Sequence, residues 1–347
     1  MPSPRSICLA AISSIALAAC GGPGGSGGGT RDVVRAVGSS TVYPFATAVA
    51  EKVGQTTGKS PVIESTGTGA GMKLFCAGVG TGHPDVEDAS RRMKASEYAD
   101  CVANGVTEVV EIQIGIDGIA FAEAKEGPNM QLTPADVYKA IAANPFGEAN
   151  NAKSWKDVNP ALPAIPILVY GPPSTSGTRD ALAELILETG CKSDPEMKAL
   201  KETDEDRYKA ICTQIREDGA YVDSGENDNL IVQKIAQNPK AIGVFGFSFL
   251  EENTDKLKGI PMSGVEPTYA SISDFSYPGA RPLYIYVKKA HVGVIKGLSE
   301  YVTEWTKAWG PDGYLKSKGM VVSPEAIRNK NAEIAANMTP LDPAELK

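Results

Sequence analysis

Three times along this chain a short apolar run passes through a Ser/Thr/Gly turn and straight into an amphipathic segment, which commits those stretches to strand–turn–helix units. The clearest case is the strand Pro166-Ile-Leu-Val-Tyr170, followed by Gly171-Pro-Pro-Ser-Thr-Ser-Gly-Thr-Arg-Asp180 and then by Leu182, Leu185 and Ile186 at helical spacing. The other two turns are Gly38-Ser-Ser-Thr-Val42 and Gly67-Thr-Gly-Ala-Gly71. Each aims unpaired backbone N–H groups, hydroxyl donors and the positive end of a helix at one point, which is the construction of an oxyanion site. A single turn of this kind is ordinary capping chemistry. Three at strand-to-helix junctions point instead to a protein that wraps a small tetrahedral anion. Glycines 67, 69 and 71 permit close backbone approach, and Thr41, Thr68, Ser176 and Thr178 can each donate a hydroxyl hydrogen bond.

The chain's 347 residues are enough for two domains, and 42% hydrophobic with 22% charged residues is the composition of a soluble globular protein. A formal net charge of −8 and scattered Lys/Arg residues argue against a nucleic-acid surface. An acidic chain that holds an anion must do so with local dipoles. Residues 1–20 read as a signal peptide: Arg5, an apolar run from Ile7 to Leu17, and Leu17-Ala-Ala-Cys20 as a cleavage site. Leu-Ala-Ala-Cys is similar to a bacterial lipobox, with Cys20 acylated; ordinary signal cleavage is the alternative. The glycine-rich residues 21–31 read as a flexible tether. Setting Cys8 and Cys20 aside leaves Cys76, Cys101, Cys191 and Cys212, an even number in an exported chain. Of the three connectivities, Cys76–Cys101 and Cys191–Cys212 are favoured because each closes a short loop within one half of the chain. A four-cysteine zinc site lacks the usual CxxC spacing.

The remaining pattern alternates strand and helix: a strand at Val33–Val37, a helix at Tyr43–Thr56 with Phe45, Val49 and Val53 inward, and an extended run at Glu108–Phe121 too long for one ordinary strand. Thr133-Pro134 reads as an N-cap with proline at the first helical position. A helix follows at Asn227–Gln237, then a strand at Ala241–Phe249, an extended return at Arg281–Val287, and a helix at Ile295–Trp309 with Leu298, Val302 and Trp305 on one side. This alternation predicts an α/β fold with mostly parallel strands and a ligand at strand C-termini.

Competing chemistries fail on spacing. There is no GxxxxGK[ST], Gly67–Gly71 is not GxGxxG, and Ser176 is not in a GxSxG elbow. His83 and His291 are the sole histidines, and His83 in Gly82-His-Pro84 reads as a turn residue; no metal or cofactor is expected. Arg179 opposes the macrodipole of the helix it opens, so it either faces a bound anion or pairs with Asp180 or Glu184. Arg91 poses the same choice between ligand and solvent.

The ordered set GSSTVYPF, STGTGAG, DASRRM, YGPPSTSGTRDA and DNLIVQKIAQNPKAIGVFGFSF resembles the periplasmic phosphate-binding proteins of high-affinity phosphate ABC transporters, over about Val33 to Gly319. The resemblance implies a type II periplasmic-binding-protein fold, two α/β lobes joined by two crossover strands, with lobe I at 32–115 and 282–347 and lobe II at 116–281. It implies inorganic phosphate contacts from Thr41, Val42, Thr68, Gly69, Ser176, Gly177 and Thr178, delivery to ABC permease subunits, and a monomeric, non-enzymatic binding protein in the periplasm, anchored through Cys20. Two positions depart from the family pattern: Arg91 stands where an Asp is common, and Pro172 where an Arg precedes the Ser-Gly-Thr turn. A carboxylate there accepts the proton that hydrogen phosphate carries and sulfate lacks. Asp117, or failing that Asp88, is the candidate replacement, and Arg91 or Arg179 the candidate relocated cation. The rival readings are another oxyanion (sulfate, molybdate or a phosphonate) and a secreted phosphatase using Ser176.

Overall fold

The computed structural model describes residues 31–225 and 228–346; the signal, Cys20 and tether residues 21–30 lie outside them. Nine strands form one continuous ribbon in the order β2-β1-β3-β9-β4-β7-β5-β6, with β8 beside β4. They are β1 Arg35–Gly38, β2 Val62–Ser65, β3 Val86–Ala89, β4 Val109–Ala124, β5 Val169–Gly171, β6 Tyr221–Asp223, β7 Ile242–Gly246, β8 Leu257–Gly259 and β9 Ala280–Lys288. Pairing is parallel at β1–β2, β1–β3, β5–β6 and β5–β7, as strand–helix alternation demands, and antiparallel wherever β4 or β9 takes part.

β4 and β9 explain the two lobes. β4 is a single 16-residue strand rather than two, with a register shift between Gln113 and Gly115. A bulge lets one long strand bend, so its first half pairs in one lobe and its second half in the other. Apolar burial follows this division. One core gathers Ile119, Phe121, Tyr138, Trp155, Leu182, Ile186 and Phe245; another gathers Val34, Val49, Ile112, Ile285, Val302 and Trp305, with a smaller cluster around Met72 and Phe75. The protein is therefore a two-lobed α/β fold with β4 and β9 as crossovers.

Local sequence accounts for most element ends. α1 (Tyr43–Thr57) carries Pro44 in its first turn and ends on Gly58 in the left-handed region; α2 (Thr68–Phe75) follows Gly67; α3 spans Ala95–Ala103. α4 (Pro134–Ile141) has the expected cap, with Thr133 accepting from the Asp136 N–H. Several boundaries differ from expectation: the strand expected from Val33 begins at Arg35 and the one expected from Pro166 at Val169. The strand expected to reach Phe249 stops at Gly246, and Phe247–Glu252 is helical, packing Phe247 and Leu250 inward. The helix expected from Ile295 starts at Leu298, because Gly297 adopts a left-handed conformation. Both expected disulfides, Cys76–Cys101 and Cys191–Cys212, are formed. No helix among the described residues is long and apolar enough to cross a membrane.

Candidate functional site

The three Ser/Thr/Gly turns form one contiguous cluster. The Gly38 carbonyl accepts from the Thr66 and Gly67 N–H groups at 2.8 Å, joining the first turn to the second. A Cβ at Gly71 would lie 2.7 Å from the Gly38 Cα, and one at Gly177 would lie 2.7 Å from the Thr41 Cα. Glycine is required at both places, since real Cβ atoms do not approach so closely. The turn of β5 is thereby pressed against the turn of β1 across the two lobes, and the turn of β2 packs behind it.

Between the lobes lies a cavity of about 350 Å3 lined by Thr41, Asp117, Ser176, Gly177 and Thr178, among others. Polar groups approach it from both sides, several already bonded to a neighbouring hydroxyl. In lobe I, Ser39 Oγ accepts from the Thr41 N–H at 3.1 Å and, more weakly, from the Val42 N–H at 3.4 Å. In lobe II, Ser176 caps the short helix Gly177–Ala181, accepting from the Thr178 N–H at 3.2 Å. Ser40 Oγ donates to the Asp180 carboxylate, and the Thr41 hydroxyl approaches the Gly177 carbonyl at 3.4 Å. Both contacts tie one lobe to the other.

Thr68 and Gly69 stand on the second turn, outside the lining of this cavity. Thr68 Oγ1 accepts from the Ser90 N–H and meets Ser90 Oγ, both at 3.1 Å. Ser90 was not singled out from sequence, although it lies in the same DASRRM segment as Arg91. The two relocated-cation candidates are turned elsewhere. Arg91 makes a two-pronged pair with Glu97, at 2.9 and 2.7 Å. Arg179 donates to the Pro172 carbonyl at 3.1 Å and stacks 4.4 Å from the Tyr221 ring centroid, so it pairs neither with Asp180 nor with Glu184.

The cation behind two of the lining residues, Asp117 and Thr41, is Arg281, which sequence reasoning missed. It lies opposite Asp117 in the β4–β9 register and is 7% exposed. Its Nε donates to Asp117 Oδ2 at 3.0 Å, its Nη2 to Thr41 Oγ1 at 2.9 Å, and its Nη1 to the Glu184 carboxylate. One guanidinium thus joins both crossovers to a turn of lobe I and, through Glu184 on the π-helical segment Leu182–Leu187, to lobe II. Burial raises the Asp117 carboxyl above the usual carboxylate range, partly offset by Arg281. Burial works against the Arg281 charge, but Asp117 and Glu184 outweigh it and hold it more firmly protonated. The available signal was a charge of opposite sign in each extended run, Asp117 (with Glu108 and Glu111) in one and Arg281 alone in the other.

Asp88, the second candidate acceptor, is buried in β3 with its Oδ1 unpartnered, and burial pushes its carboxyl up to about 8. Its neighbour Glu87 has both oxygens unpartnered and is raised well above the usual range, by burial and then by Asp88. Among the described residues no group of His, Cys, Asp and Glu is placed to hold a metal ion.

Comparison with known proteins gives concordant results. A family model described as a PBP superfamily domain matches residues 24–309. The phosphate-binding protein PstS of Staphylococcus saprophyticus is 31% identical over 296 residues, covering 83% of this chain and 81% of that one. Protein SphX of Synechococcus elongatus is 31% identical over 275 residues, covering 76% and 71%. Among solved structures, a possible phosphate binding protein from Planctomyces limnophilus superimposes with a TM-score of 0.72 at 27% identity, covering 89% of this chain and 99% of the other. An ABC-type phosphate transport receptor from Vibrio cholerae shares the fold, with a TM-score of 0.58 at 19% identity over 84% and 99%.

Proposed function

The chain belongs to the PBP superfamily and, within it, to the PstS phosphate-binding proteins, and from that membership we propose that it binds inorganic phosphate between its two lobes and delivers it to an ABC permease. The observation that carries the reading is the contact of the Thr41 and Ser176–Thr178 turns across one cavity, with Asp117 and Arg281 beneath. Backbone and hydroxyl donors at two helix starts supply a dehydrated site for a tetrahedral dianion without bulk positive charge. Thr41, Val42, Ser176, Gly177 and Thr178 are the proposed primary contacts. Thr68 and Gly69, one turn behind, are proposed to join them through the free amides at the start of α2.

Asp117 is the proposed acceptor for the ligand proton. Arg281 holds one of its oxygens at 3.0 Å, which fixes the carboxylate and opposes the effect of burial. An acceptor in that place favours hydrogen phosphate over sulfate, which has no proton to give. Arg281 also occupies a lone pair of Thr41 Oγ1, whose hydrogen is given only to the long 3.4 Å contact with the Gly177 carbonyl and is proposed to turn to the anion. The protein is proposed to be a monomeric binding protein and not an enzyme, held in the periplasm by a lipid on Cys20.

Calorimetry of the mature domain with phosphate, arsenate and sulfate tests this. Tight phosphate and arsenate binding with weak sulfate binding is expected. Equal displacement by sulfate, or no phosphate binding at neutral pH, overturns the reading.

A further inference from the structure

Every arginine near the cleft is already committed: Arg281 to Asp117, Thr41 and Glu184, Arg91 to Glu97, and Arg179 to Pro172 and Tyr221. The cavity lining nevertheless includes a cation, Lys318, alongside the acids Asp117 and Asp228. Lys318 is exposed, and its ammonium makes no hydrogen bond or ion pair with another described residue. It closes the short 3-10 turn Lys316–Lys318, which ends on Gly319 in the left-handed region. The following segment is pinned to the crossover: the Val321 N–H donates to the Ile116 carbonyl at 3.0 Å, and the Ile116 N–H returns the bond at 3.0 Å. The free ammonium is thus carried at the cavity rim by a turn anchored to the hinge strand. This turn lies beyond residues 24–309, the stretch matched by the superfamily model.

We propose that Lys318 is the capture residue of the cleft, an unpaired cation that draws the anion into a cavity whose other charges are neutralised or acidic. The inference rests on the phosphate-binding reading and adds to it the group that offsets the approach barrier of a chain with net charge −8. A single exposed ammonium at the rim acts through the local field, so its contribution is large at low ionic strength and vanishes when salt screens it. A lysine that merely solubilises the surface would show neither property at this ligand.

The test is phosphate titration calorimetry on the mature protein, K318Q and K316Q, at about 10 mM and about 1 M sodium chloride, where screening lengths are about 30 Å and about 3 Å. K316Q removes the same charge from the same turn, at a side chain that does not line the cavity. The expected result is a Kd for K318Q raised about three- to tenfold at low salt and within about twofold of the parent at high salt, with K316Q close to the parent throughout. Equal effects of K318Q and K316Q at low salt overturn the proposal, as does a loss in K318Q that persists undiminished at high salt. If the parent protein itself binds no phosphate, the functional reading fails, which is a separate outcome from either of these.

Discussion

Two sets of charge are buried beneath the candidate site, and they are treated in opposite ways. On the crossovers, Asp117 and Arg281 face each other in register, and the guanidinium is satisfied by Asp117, Thr41 and Glu184. On β3, Glu87 and Asp88 are adjacent carboxyls, at 0% and 1% exposure, with three of their oxygens unpartnered. The first set keeps its charges because each has a partner; the second escapes the cost of burial by holding protons. Hydrogen-bonded charge of the first kind fixes geometry where the ligand sits. Protonated acid of the second kind avoids placing negative charge beneath it.

The largest expected effect comes from breaking the satisfied set. Arg281→Met leaves Asp117 buried without its cation and Thr41 without its donor, and is expected to cost about 3–5 kcal/mol in urea unfolding. Adding Asp117→Asn to Arg281→Met should recover part of that loss, because the stranded charge is then removed. A shift below about 1 kcal/mol for the single variant would mean that Arg281 is not the hub its contacts describe.

The unsatisfied set should announce itself through pH. Well below its ordinary value of 3.8, Asp88 is protonated in folded and unfolded chains alike, so it contributes no difference. Between its ordinary value of 3.8 and about 8, the folded chain keeps a proton that the unfolded chain has lost. Stability therefore falls as pH rises through that window, by up to about 1.4 kcal/mol per pH unit, and levels off above it. Asp88→Asn should remove this slope, and be most stabilising relative to the parent near pH 8. A parent and variant with parallel stability–pH curves would show that Asp88 is ionised in the fold and has found a partner.

A third effect concerns only the contact between lobes. Gly177→Ala places a Cβ against the Thr41 backbone, so the turns must separate. Phosphate binding should weaken about tenfold or more, roughly 1.4 kcal/mol, with little change in unfolding midpoint, since each lobe keeps its own core. Unchanged affinity would place the closing contact elsewhere.

Much of this was legible in the chain itself. Strand–turn–helix alternation, the capped start of α4, the two disulfides and the Ser/Thr/Gly turns all follow from local spacing. Register does not. Arg281 and Asp117 are 164 residues apart, and Arg281 and Thr41 are 240 apart, so no local pattern joins them. Phe247–Phe249 reads as strand because its aromatics continue an apolar run, yet packing of Phe247 and Leu250 places it in the helix Phe247–Glu252. The contacts of Arg179 were hidden for a related reason: its helix position suggested an anion or a neighbouring carboxylate, while the ring it stacks on, Tyr221, is supplied from another strand.

The smallest expected effects are those of the arginines that helix position and motif comparison first favoured. Arg91 spends its guanidinium on Glu97, with the pair partly exposed at 36% and 19%, and Arg179 rests on Tyr221 and the Pro172 carbonyl. Exposed or half-exposed pairs contribute about 0–1 kcal/mol. Arg91→Ala and Arg179→Ala are each expected to change phosphate affinity by less than about fivefold, under 1 kcal/mol, and to leave discrimination against sulfate intact. If either variant instead loses more than about tenfold in affinity, the guanidinium leaves its present partner when the anion binds. In that case a labile pair at the rim, and not the buried Arg281 alone, would carry the cationic share of recognition.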